Sequence, residues 1–349
     1  MRKIFSIFIA LILLVGSALP AFGATASTIP AAPPTLDTAI TRAASYILRA
    51  VPNPTMGSVG GEWAVIGLAR SRQHVSGAYF RRYFNAVERH VRERGGVLHE
   101  RRITEYSRVI LGLVAAGFDP RDVAGFNLML PLGDFERTIW QGINGAIFAL
   151  LALDSQNFDV PVNPDATVQA TREMYVNEIL RRQTPDGGWN LTAGMNGPVG
   201  ANEKGDPDVT GMALQALAKY QDNPEVSAAI GRALDFLSGI QNADGGFTGN
   251  FSGGESVLES AVQVLVALTE LGIPVDDPRF VKNGNTLVDN VISFQNPNGS
   301  FRHSYGSTES NLMSTEIGLY GLVAAQRAAQ GRNSLYRMCD ARRRDLLTP

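Results

Sequence analysis

The chain has 349 residues, 31 Lys and Arg against 33 Asp and Glu, and a formal net charge of −2. With no basic excess it lacks the electrostatic footprint of a nucleic-acid binder, and one cysteine, Cys339, excludes an intrachain disulfide and any thiol-built metal site. Stability must come from packing, for which the length suffices.

Residues 1–26 carry Arg2 and Lys3, an apolar run over 4–15, and small residues ending Ala24-Thr25-Ala26. That is the pattern of a cleaved secretory signal peptide, so the mature chain is expected outside the cell or on its surface, without a transmembrane span. Residues 27–34 (STIPAAPP) form a short extended linker. Amphipathic patterns then predict outer helices at 35–51, 77–94, 122–130, 166–182, 223–241 and 283–294. Between them, segments apolar around most of their circumference predict inner helices at 61–70, 104–116, 139–153, 208–220, 255–271 and 309–330. Residues 331–349 carry Arg337, Arg342, Arg343 and Arg344 and read as a solvated basic tail.

Three related heptapeptides punctuate the second half: QTPDGGW at 183–189, QNADGGF at 241–247 and QNPNGSF at 295–301. Their aromatics, Trp189, Phe247 and Phe301, lie 58 and 54 residues apart, the period of a helix-hairpin array. Each Asp-Gly or Asn-Gly pair supplies the positive-φ turn that stops a helix. About six hairpins follow over 35–330, and without polar capping repeats closure into a ring is the better expectation.

Arg232-Ala233, Phe236-Leu237, Gln241, Gly245 and Phe247 match the QW motif with Phe for the final Trp, and the copy at Gln183 ends in Trp189. Over 35–330 the chain thus resembles the squalene cyclase and prenyltransferase repeat superfamily. The segments GGEWAVIGLARS, TEYSRVILGL, TIWQGINGAIFALLALD and DPDVTGMALQALAKY are similar to a secreted bacterial subset of it without a settled reaction. The resemblance implies an all-α fold, a single α6/α6 toroid whose binding site is the mouth formed by the inner helices.

Aligned on their apolar cores, the inner helices place polar residues near their starts: Glu62 and Trp63, Glu105 and Arg108, Gln141 and Asn144, Asp206 and Asp208, Glu255 and Glu259, and Glu316. In a toroid these would converge on one mouth, walled by Trp63, Tyr106 and Trp140, with His303 in reach. An acid in a first helical turn is also what the dipole and capping favour on their own. The grouping is the functional signal, because gathered carboxylates raise one another's pKa values. The run Asp206-Pro-Asp208-Val209-Thr210-Gly211 resembles the Asp-x-Asp-Asp-Thr-Ala motif of class II terpene cyclases, which would make Asp208 a general acid, with Val209 replacing the last aspartate.

The expectation is a secreted or surface protein that binds a small-molecule, isoprenoid or glycan ligand in this mouth, without metal or cofactor. Alternatives are a cyclase using Asp208, and a glycan-cleaving enzyme using paired carboxylates. In either enzyme Asp208 would act with Glu259, Glu105 and Glu316, and Glu62, Arg108, Gln141, Asn144, Asp206 and His303 would contact the ligand beside the aromatic platforms.

Overall fold

The structure, a computed structural model, describes residues 35–249 and 254–344; the signal segment 1–26, the linker 27–34 and residues 345–349 lie outside the described residues. Polar caps set where most helices begin. Thr35 accepts from Thr38 N to open α1 (Leu36–Ala50), and Asp206 and Asn223, each followed by a proline, do the same at two later starts.

Six helices form the inner layer: α2 (Trp63–Arg70), α4 (Ile103–Ala116), α6 (Ile143–Asp154), α8 (Pro207–Leu217), α10 (Leu258–Leu271) and α12 (Leu312–Ala329). They are apolar on nearly all sides and buried to match; in α12 every residue from Ser314 to Arg327 is buried. Each packs on the next, and α12 packs back on α2, so the ring is closed. The outer layer holds α1, α3 (Gly77–Glu93), the short α5 (Phe135–Ile139), α7 (Arg172–Leu180), α9 (Pro224–Ile240) and α11 (Leu287–Ser293). Among them, α1 leans on α12, α7 on α6, α9 on α8 and α11 on α10. The chain is an all-α toroid, and no helix among the described residues is long and apolar enough to cross a membrane.

The repeated heptapeptides are its joints. Gly187, Gly245 and Gly299 have φ of 94°, 83° and 94°, and Trp189, Phe247 and Phe301 are fully buried. Each glutamine spans two elements through one amide. Gln183 Nε2 donates to Gly187 O (2.8 Å) and to Ala229 O of α9 (2.9 Å), and Gln241 to Gly245 O (2.8 Å) and Phe280 O (3.0 Å). Gln295 donates to Gly299 O (3.3 Å) and to Ala39 O of α1 (2.9 Å). A Cβ at Gly187 would lie 2.6 Å from Arg232 O, in addition to the unfavourable φ. Gly187→Ala is expected to cost about 1–3 kcal/mol in urea unfolding; a neutral result would show that the joint yields.

Several boundaries differ from the pattern-based expectation. Residues 122–130 are not a helix: Val123 and Phe126 pair across a tight turn at Ala124 and Gly125, both at positive φ. The helix expected at 166–182 starts only at Arg172, because Val168 and Ala170 pair with Phe135 and Gly133 by backbone hydrogen bonds. Gly142, at φ 70°, separates α5 from α6 inside the expected 139–153 helix. The α10, α11 and α12 helices begin at Leu258, Leu287 and Leu312, three or four residues later than expected.

The tail is corrected in part, since residues 331–344 are anchored to the ring while Arg337, Arg342 and Arg343 remain exposed. Leu335, Tyr336 and Met338 are buried, and the Asp340 carboxylate pairs with Arg70 (2.7 Å) and Arg327. Glu270 accepts from Ser334 Oγ and Tyr336 N, Met338 N donates to Ser155 O, and Arg344 N donates to Gly117 O. This strap therefore ties together the C-terminal ends of α2, α4, α6, α10 and α12 and covers that pole of the ring.

Candidate functional site

The opposite pole gathers the starts of the inner helices, and the repeat turns aim them. Trp189 N donates to Thr210 Oγ1 (2.8 Å) and Asp206 N to Trp189 O (2.7 Å), which fixes the start of α8 to the buried aromatic joint. Asp206 is then the cap, its Oδ1 accepting from Asp208 N (2.9 Å) and Val209 N (3.2 Å). The acids expected in one mouth fall into two sectors.

In the first sector Glu62, fully buried, accepts from both Gly57 N and Tyr83 Oη (3.0 Å) and pairs with Arg108 Nε (2.8 Å). Arg108 also pairs with Glu105, whose other oxygen lies 3.5 Å from Arg102. Glu316, fully buried, accepts from Gly60 N (2.9 Å), and its Oε2 has no hydrogen-bond partner. Burial raises the Glu62 carboxyl against the opposing pull of Arg108, and raises Glu316 to about 8, with the Glu62 charge adding to it. These groups stitch the irregular segment Ser58–Glu62 to α4 and α12. It needs glycine there, because Gly60 has φ 73° and a Cβ at Gly61 would sit 2.3 Å from Thr55 O.

In the second sector Asp208 opens onto a cavity of about 460 Å³ whose wall includes Asn144, Asn190, Thr192, Asp206 and Met212. Its Oδ1 is buried without a hydrogen-bond partner, as is Asn144 Oδ1 in the same wall. Burial lifts the Asp208 carboxyl to about 6; the charges of Asp206 and Glu259 add to this, and Ser260 and His303 act against it. Beside it, Glu259 Oε2 meets His303 Nδ1 at 2.7 Å and Oε1 accepts from Ser314 Oγ.

Aromatic rings cross the bore beneath the mouth. Trp63 of α2 contacts Phe148 of α6 (centroids 6.3 Å apart), although α4 separates those helices in the ring, and it also meets Tyr320 of α12 (5.8 Å). Gln215 donates to Gln263, and Gln263 to Tyr320 Oη (2.9 Å), binding α8, α10 and α12 together.

Of the sequence candidates, the structure brings Asp206, Asp208, Glu259, His303 and Asn144 to one side of the mouth, and Glu62, Glu105, Arg108 and Glu316 to the other. Tyr106 is not a platform: it is buried, and its hydroxyl accepts from Leu98 N (3.0 Å). Gln141 is a strut, its Oε1 accepting from Thr104 N and Oγ1. Trp140 is 52% exposed with the Arg101 guanidinium 4.2 Å over its ring, and it faces a separate depression with Glu100 and Glu136. Ser260, Ser314, Thr192 and Met212 were not anticipated; the long Gly- and Asn-rich stretch 190–205 was the available signal for Thr192.

No family model matches the chain, and no curated protein matches its sequence. Solved structures do share its fold. The unsaturated glucuronyl hydrolase of Bacillus sp. GL1, responsible for the degradation of glycosaminoglycan, is similar with a TM-score of 0.59 at 12% identity, over 86% of this chain and 99% of that one. Candida albicans protein geranylgeranyltransferase-I, complexed with GGPP, gives 0.57 at 13% identity, over 83% and 92%. The type II terpene cyclase MstE from Scytonema gives 0.55 at 14% identity, over 84% and 99%. At these identities the likeness is one of fold, an α/α toroid.

Proposed function

We propose that this toroid, exported by its N-terminal segment, binds a hydroxyl-rich ligand of the glycan class in the Asp208 cavity. The observation that carries this reading is the pair of buried acceptors, Asp208 Oδ1 and Asn144 Oδ1, without partners in one wall. A buried acceptor left unmatched costs about 1–3 kcal/mol, so a small shift of the wall that turns these oxygens into the cavity favours a ligand that brings O–H or N–H groups. A polyene brings none, and the Trp63 ring against Phe148 narrows the bore beneath the mouth, which weighs against the cyclase alternative.

A hydrolytic variant of this reading is favoured by one observation, the Asp208 carboxyl lifted to about 6 with the Glu259 carboxylate held by His303 nearby. A carboxyl that holds its proton up to about pH 6 is suited to protonate a leaving oxygen in mildly acidic solution. The test is thermal shift with neutral and uronic-acid trisaccharides against farnesol and geranylgeraniol. Trisaccharides are expected to raise the melting temperature, and Asn144→Leu to weaken that binding about tenfold, the loss of one hydrogen bond. Stabilisation by the polyisoprenols alone would overturn the assignment.

A further inference from the structure

A second cavity, of about 240 Å³, lies at the strapped pole, among the ends of α6 and α8 and the strap residues Asn333, Tyr336, Arg337 and Cys339. Its floor is apolar, with Leu150, Leu151 and Ala216. The acids in its lining already have donors. Asp154 accepts from Arg172 Nε (2.9 Å), Lys219 Nζ (2.9 Å) and Tyr220 Oη (2.7 Å), and Glu270 from Ser334 Oγ and Tyr336 N. Arg172 and Lys219 also answer the negative dipole ends of α6 and α8.

The donors, by contrast, are in excess. Lys219 spends two of its three N–H groups, on Asp154 and on Asn157 Oδ1 (2.8 Å). The exposed Arg337 side chain makes no hydrogen bond or ion pair among the described residues, its charge acting on Glu270 only through space. A planar fork of five donors beside a spare ammonium proton, above an apolar floor, is what a carboxylate or phosphate monoester on a compact apolar body requires.

We propose that the strapped pole is a second ligand site, for a small organic anion held by Arg337 and Lys219 with its apolar part on Leu150, Leu151 and Ala216. It is independent of the Asp208 cavity, and the strap that covers this pole is also its roof.

Cys339 supplies the test, because it is exposed, lines this cavity and is the only cysteine in the chain. The rate of Cys339 labelling by a thiol reagent is measured in benzoate, phenyl phosphate or benzyl alcohol, with calorimetric titration of Cys339→Ser in parallel. The two anions should slow labelling several-fold and release heat on titration, and benzyl alcohol should do neither. Arg337→Gln, a change on an exposed side chain, should weaken anion binding at least tenfold while labelling without ligand stays as in the parent. Unprotected labelling together with no heat overturns the proposal. So does equal binding of benzyl alcohol, or full affinity in Arg337→Gln.

Discussion

Replacing Glu316 with glutamine is expected to raise the unfolding free energy by about 4 kcal/mol at pH 8 and by very little at pH 4. The folded carboxyl holds its proton up to about 8, against an ordinary value of 4.5, because it is buried beside Glu62. Between those limits the unfolded chain has released this proton while the folded chain retains it. An acid of this kind therefore removes stability progressively as pH rises from about 4.5 to about 8, at roughly 1.4 kcal/mol per pH unit, and the loss is complete above that. Glutamine keeps the oxygen that accepts from Gly60 N and places an amide where Oε2 now has no partner. Urea unfolding of parent and variant across pH 4 to 9 decides it, since subtracting the two curves cancels every titrating group except those coupled to Glu316, chiefly Glu62. Parallel curves would mean that Glu316 is ionised in the fold.

The second large effect is at the other pole. Asp340→Ala should destabilise the chain by about 3–5 kcal/mol, because it strips the carboxylate from two buried guanidiniums. Arg70 and Arg327 are 2% and 1% exposed, and both meet Asp340, which they hold below the usual carboxylate range despite its partial burial. Burial, and the nearness of Arg70, already lower Arg327 to about 10. Arg332 is the contrast: it lies 4.0 Å from the same carboxylate but is exposed, so Arg332→Ala should cost under about 0.5 kcal/mol. Guanidinium unfolding compares the two, and similar losses would show that the strap is held by its apolar residues instead of its ions.

The ring was legible because its information is periodic. The Asp-Gly and Asn-Gly joints stop helices at Gln183, Gln241 and Gln295, and the inner segments are apolar around their girth, which only a buried layer tolerates. The stretch 122–130 failed because hydrophobic spacing there coincides with a positive-φ pair, Ala124 and Gly125, that no helix accommodates. For the site, the sequence placed acids at the starts of converging helices but could not supply rotamers. Hence it could not divide Glu62 and Glu105, consumed by Arg108, from Asp208, which opens on a cavity. Tyr106 and Trp140 show the same limit. Both sit near helix starts, yet one turns inward to a backbone amide and the other outward beneath Arg101.

The three joint glutamines carry a consequence for how the chain assembles. Gln183 reaches forward to α9 and Gln241 to Phe280, each the next outer layer in order, but for Gln295 the next outer layer is α1, at the far end of the chain. The repeat thus treats residue 39 as if it followed residue 295, together with Arg42 bonded to Asn296 O and Asp37 to Gln326. Formed in chain order, the hairpins can stack one by one, yet α1, with few contacts to α2, lacks its main partner α12 until the last of them arrives. Ring closure is then a contact of very high sequence separation, the kind that sets the slowest step of folding. The same adjacency suits the toroid to circular permutation, in which α1 would follow the strap and the ring would open at another outer loop.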